Sequence, residues 1–248
     1  MASENALKRF AQLFETDIFT CKIGTEKTYF VHKDALGSAS GVLKKQMESC
    51  MKEGLTKCIT LEDTADDGCA FGLFVQFCYL GEYYYEQRLN GALTVHASVY
   101  VLAEKIEALE LKALALKKAT SLCKTSQGIT AVDRESAQAL RLSLPETVPV
   151  IYNGTYDNNT GKLPTSPAPE SMAGNTEAPS VVRDGFRMLI AKFAATCIHE
   201  LRNIEEFMSV LEDFPAFASD ILLFAYPAPN AIMDGTGSRK RPRDTGAY

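Results

Sequence analysis

The chain has no tryptophan and only three histidines, His32, His96 and His199. These histidines lie far apart, so no pair has the short spacing with which a helix offers two imidazoles to one metal ion. A glycine-rich phosphate loop, a G-x-S-x-G elbow and an H-E-x-x-H motif are all missing, which removes sequence support for the chemistries they serve. The cysteines are Cys21, Cys50, Cys58, Cys69, Cys78, Cys123 and Cys197; they are odd in number and never closely paired, which suits neither a zinc site nor a disulfide framework. They read as buried reduced thiols of an intracellular protein. No apolar run approaches the ~18 residues that a spanning helix needs. Glu4, Lys8 and Arg9 interrupt the N-terminal segment, so neither a signal peptide nor a membrane partner is expected. A net charge of −5 argues against a nucleic-acid surface spread over the whole fold. No catalytic residue, cofactor or metal ligand is assigned, and the chain is not expected to be an enzyme.

What is present is core-forming material, with 46% of residues hydrophobic. Residues 1–15 read as an amphipathic helix with Leu7, Phe10, Leu13 and Phe14 on one face. IFTCKI at 18–23 alternates as a strand with Phe19, Cys21 and Ile23 on one side, and TYFVH returns as its hairpin partner. Asp34 opens a short helical segment and Leu43 to Met51 continues as another, before CITL at 58–61 makes a third strand. The next helix buries Phe71, Phe74, Val75 and Cys78 and stops near Gly81. Helices follow at 93–106, with Val99, Leu102, Ala103 and Ile106 inward, and at 108–122. Phe186, Leu189, Ile190, Phe193, Cys197 and Leu201 form one later stripe, and Ile204, Phe207, Met208 and Leu211 another.

Between 153 and 180 the chain is dense in Asn, Gly, Thr, Ser and Pro, and it reads as a flexible linker. The organisation is therefore an N-terminal helix (1–15), a compact domain (16–125), a helical connection (126–152), the linker (153–180), C-terminal helices (181–227) and a disordered basic tail (228–248). The expected fold class is α+β, a small three-stranded sheet with a cluster of helices and a mainly helical extension.

The run D-I-F-T-C-K-I-G followed by F-V-H-K-x-x-L-x-x-x-S resembles the core of the BTB/POZ domain, at Asp17, Phe30, Val31, His32, Lys33, Leu36 and Ser40. The resemblance continues through Ile59, Leu61 and Asp63, then through the helix end bearing Phe71, Tyr79, Gly81 and Tyr83, and into V-H-A-S-V-Y-V-L-A-E-K from Val95. It covers residues 16–122 and is nearest in kind to fungal BTB proteins with a helical tail. It departs after Ser40, where Gly41, Val42 and Leu43 stand in place of the large aromatic that many members carry.

The resemblance implies a protein-interaction module that forms homodimers and acts as an adaptor. Its N-terminal face of Leu7, Phe10, Leu13 and Phe14 would serve self-association. Asp17, His32, Lys33, Leu36, Tyr79 and Gly81 would hold the fold, with His32 packed at the strand-to-helix corner rather than acting as a base. In the form that recruits a ubiquitin ligase, a third-class cullin would meet Met51 and Glu53, in a loop before the third strand, together with Phe77, Tyr83 and Tyr84. The alternative is a nuclear regulatory or scaffold protein that uses the domain to oligomerise and does not bind DNA directly. Arg239, Lys240, Arg241 and Arg243 fit a basic import signal, so nucleus and cytoplasm both remain open.

Overall fold

Alternation builds the sheet. In β1 (Ile18–Ile23) the inward positions Phe19, Cys21 and Ile23 are all buried. β1 pairs antiparallel with β2 (Lys27–His32), Ile18 facing His32 and Thr20 facing Phe30. It pairs parallel with β3 (Cys58–Leu61), Cys21 beside Ile59. The order β2-β1-β3 leaves β2 and β3 as the edges. Parallel strands need a crossover. Here α1 (Lys33–Ala39), α2 (Gly41–Glu48) and α3 (Lys52–Thr56) supply it. The computed structural model describes residues 11–24, 27–49, 52–61, 69–85, 91–125, 131–155 and 183–225.

Lys57 enters β3 with φ 51°, a left-handed value that costs a side chain energy. Two contacts hold it there. Its carbonyl accepts the Thr20 N–H at 2.8 Å, and its ammonium meets the Asp17 carboxylate at 2.9 Å. The Asp17 carbonyl accepts the Lys33 N–H at 2.7 Å, so one residue fixes both the entry to β3 and the start of α1.

α4 (Cys69–Leu80) ends where Gly81 takes φ 67°, its N–H returning to the Phe77 carbonyl at 2.8 Å. α5 (Ala92–Lys105) buries residues around most of its circumference, including Leu93, His96, Ala97, Val99, Tyr100, Leu102 and Ala103. Such a helix must be enclosed. α4, α6 (Leu109–Thr125) and α7 (Ala131–Gly154) pack around it. The last turn closes on Glu107, at φ 53°, with Ala108 N–H bonded to the Ala103 carbonyl at 2.8 Å and Glu107 N–H to that of Glu104 at 3.2 Å. This is the Schellman pattern, in which glycine normally occupies the left-handed position. Ser40 ties the same corner to the crossover. Its hydroxyl donates to the Ile106 carbonyl at 2.6 Å and accepts the Leu43 N–H at 3.1 Å, capping α2.

α7 contains Pro145 and Pro149 in its interior, each of which removes a helical N–H donor. The Ser143 and Thr147 hydroxyls donate to the carbonyls of Leu140 and Ser143, at 2.8 Å each. The helix buries Leu140, Leu144, Val148 and Ile151 and runs to Gly154, past the boundary expected at 152. A Cβ on Gly154 would collide with the Val101 side chain, so glycine permits the close approach of α7 to α5.

The stripe from Phe186 to Leu201 forms two helices, α8 (Gly185–Thr196) and α9 (Ile198–Leu201), broken at Cys197. α10 (Glu205–Asp213) and α11 (Pro215–Ala225) follow. Charged and polar groups fasten them. The Asp184 carboxylate accepts the N–H groups of Phe186 and Arg187 and, at 2.8 Å, the hydroxyl of Tyr100. Buried Arg187 donates to Thr155 Oγ1 at 2.9 Å and to the Tyr152 carbonyl at 3.2 Å, capping the end of α7. Asp220 accepts the Tyr152 hydroxyl at 2.7 Å and pairs with Arg183. One hydrophobic cluster runs from Phe19 in β1 to Ile221 in α11, so sheet and C-terminal helices share a core. The class is α+β; among the described residues no helix is long and apolar enough to cross a membrane.

Glu107→Gly should raise stability by about 0.5–1 kcal/mol, because relief of the left-handed strain exceeds the entropy glycine adds to the unfolded chain. A higher urea midpoint with an unchanged slope is the expected result; a lower midpoint would show that the Glu107 side chain stabilises the corner.

Candidate interaction surface

The strand-to-helix corner is built on His32. Its backbone N–H donates to the Tyr79 hydroxyl at 3.1 Å, and its Nδ1 lies 2.7 Å from the same oxygen. The rings of Phe14 and Tyr79 meet the imidazole edge-on, centroids 4.9 and 5.9 Å away. His32 thus joins the end of β2 to α4 and the N-terminal segment, while Leu36 one turn later is fully buried. The imidazole packs and hydrogen-bonds at this corner.

Around this corner lies an apolar surface. Phe14, Val75, Gln76, Tyr79 and Leu80 line a shallow groove. Phe14 is 56% exposed and Leu80 59%. On the outer sheet face Ile18 is 53% exposed and Phe30 72%, and their register makes them diagonal neighbours. Leu13 is half-buried against the core, whereas Leu7 and Phe10 lie outside the described residues. Ile18 and Leu80 were not singled out from sequence, and Phe30 only as part of the family resemblance, although inward Phe19, Cys21 and Ile23 already imply an outward Ile18.

The cullin-facing set is not brought together as expected. Phe77 is 8% exposed and Tyr83 0%, so both are core residues and cannot meet a partner. Phe77 lies on the α4 face that carries Phe74, and Tyr83 is held beneath α6. Tyr84, at 63%, does reach solvent. Glu53 sits on the short helix α3, half-buried, rather than in a loop, and Met51 lies outside the described residues. So do Arg239, Lys240, Arg241 and Arg243.

A second concavity opens at the end of α4, lined by Glu82, Tyr84, Tyr85, His96, Leu114, Lys117, Lys118, Ser121, Leu122 and Thr125. Lys118 is fixed here. Its ammonium lies 2.9 Å from the Glu82 carboxylate, 4.8 Å over the Tyr83 ring and 5.8 Å over that of Tyr84. Burial acts to raise the Glu82 pKa, but the hydrogen bonds from Lys118 and the Tyr83 N–H and the charges of Lys118 and Lys117 outweigh it and hold it below the usual carboxylate range. Burial pushes the Tyr83 phenol up, with the Glu82 charge adding to the effect.

The Tyr83 hydroxyl lies 2.9 Å from His96 Nδ1, both groups buried. Among the described residues that hydroxyl has no other partner. Leaving its proton unpaired would cost about 1–3 kcal/mol, so Tyr83 donates and the imidazole proton resides on Nε2. Burial, then the Lys118 charge, pushes the His96 pKa down to about 4, so the ring is neutral. His96 and Lys118 escape sequence reading because a lone histidine and one lysine of a pair carry no local signal.

No protein-family model matches the chain, and neither does any curated protein.

His32→Ala should lower stability by about 1–3 kcal/mol, since it leaves the Tyr79 hydroxyl without its ring partner; an unchanged denaturant midpoint would count against the corner's role. His96 should make stability depend on pH. Its folded pKa of about 4 lies below the unfolded value of ~6.5. The unfolded chain therefore binds a proton that the folded chain refuses, and stability falls as pH drops from ~6.5 through 4. The full contribution is about 3 kcal/mol. The difference in urea midpoint between wild type and His96→Gln should shrink between pH 7 and pH ~4; a constant difference would exclude His96 as the source.

Proposed function

We propose that this chain is a protein-interaction module of the BTB/POZ type that self-associates through its N-terminal apolar surface and serves as an adaptor. The carrying observation is the exposure of Phe14, Ile18, Phe30 and Leu80 around one corner of the sheet. Exposed apolar side chains are ordinary singly, but a contiguous set beside an edge strand is a place where another chain adds. β2 is such an edge, and Phe30 stands on it. The occupant we assign is a second copy of the chain. A two-fold interface needs a self-complementary patch, and apolar side chains can meet copies of themselves across the axis.

The order of elements supports the same reading: hairpin, crossover helices, a third strand parallel to the first, then helices. Recruitment of a third-class cullin is a narrower form of the proposal. With Phe77 and Tyr83 in the core, its described contacts reduce to Glu53 and Tyr84, and exposed Leu55 lies on the same short helix as Glu53.

Light scattering on the full chain at tens of micromolar is expected to give a dimer, and Phe14→Asp with Phe30→Asp a folded monomer. A wild-type monomer across that range would overturn self-association, and a dimer unaffected by the double variant would move it to another face.

A further inference from the structure

We infer that the cleft between residues 82–85 and α6 is a docking site for an acidic segment of a partner protein that carries an apolar side chain beside its carboxylate. The inference does not depend on self-association, since the cleft shares no lining residue with the Phe14 groove.

The polar groups of the cleft are mostly donors. His96 is 8% exposed, and its Nδ1 is taken by Tyr83. Its Nε2–H has no hydrogen-bond partner among the described residues, and the ring lines the cleft. Lys118 gives one of its three N–H donors to Glu82 and lines the same wall. Lys117, one residue before it, is exposed and forms no ion pair among the described residues. Ser121 adds a hydroxyl one turn further along α6.

Charge complementarity selects the occupant. The chain as a whole carries −5, yet the lining has two ammonium groups against the single carboxylate of Glu82. Lys118 is already immobilised by Glu82 and two tyrosine rings, so little side-chain entropy remains to be lost when it meets an anion. Leu114, Leu122 and the exposed ring of Tyr84 supply an apolar floor and rim. A free inorganic anion would leave that apolar surface unused. A peptide that alternates a carboxylate with an aliphatic residue uses both, the carboxylate against Lys117 and the His96 Nε2–H, the aliphatic side chain against Leu114 and Tyr84.

The test uses the full chain and a short fluorescein-labelled peptide of alternating glutamate and leucine, followed by fluorescence anisotropy. Saturable binding at low ionic strength that weakens as salt is added is expected. The same peptide with glutamine for glutamate should not bind. Lys117→Glu and Tyr84→Ala, both at exposed positions, should each weaken binding about fivefold to tenfold with the urea midpoint unchanged. Phe14→Asp should bind as wild type does, which separates this site from the dimer surface. Equal binding of the glutamine peptide, no effect of Lys117→Glu, or equal competition by an oligouridylate would each overturn the proposal.

Discussion

The structure depends on the burial of α5 around most of its circumference. Its apolar residues can be covered only from several directions, and its polar residues cannot be covered without partners. Each of them has one. Thr94 meets Thr147 at 3.0 Å, His96 meets Tyr83, Ser98 donates to the Thr94 carbonyl at 3.1 Å, and Tyr100 donates to Asp184. These contacts dictate where the neighbours sit. α7 must bring Thr147 to Thr94, the chain after α4 must fold Tyr83 under α6, and the C-terminal helices must begin with Asp184 beside Tyr100. Burial drives association, and the hydrogen bonds choose among the ways of achieving it.

The C-terminal helices are therefore a lid on the core rather than an appendage. Burial raises the Tyr100 phenol, and the hydrogen bond to Asp184 raises it further, so the contact stays a neutral donor to a carboxylate. Arg187 reaches back to cap α7 and lies 4.7 Å over the Tyr152 ring, while Tyr152 donates to Asp220. A buried charge is tolerated here because each is hydrogen-bonded from more than one element, and loss of one member would strand the others.

Local features of the fold were legible because their causes are local. Period-two alternation placed Phe19, Cys21 and Ile23 inward, the apolar spacing at Phe71 and Phe74 gave α4, and Gly81 ended it. His32 follows the strand-like run in sequence and stands at the end of β2 in the structure. Long-range burial was not. Phe77 and Tyr83 read as available aromatics because nothing nearby in sequence announces the helix that covers Tyr83. α7 was expected as a helical connection despite its two prolines, but the Ser143 and Thr147 hydroxyls that donate beside them become visible only in three dimensions. Lys118 carries no local signal, since its partners Glu82, Tyr83 and Tyr84 come from a different stretch of chain.

The last turn of α4 separates two surfaces of different chemistry. Gln76 lines the Phe14 groove, while its side-chain oxygen accepts the Tyr84 N–H at 3.0 Å on the other side. Gly81, with its left-handed backbone, lies between the residues that line the two surfaces. The groove offers apolar area with little direction, which suits an interface whose stability comes from buried surface. The cleft offers oriented donors and one fixed cation, which suits discrimination among partners more than strength of binding. Because the Gln76–Tyr84 hydrogen bond ties the two walls, a displacement of the α4 end by a bound chain would move Tyr84, which gives the two surfaces a physical connection.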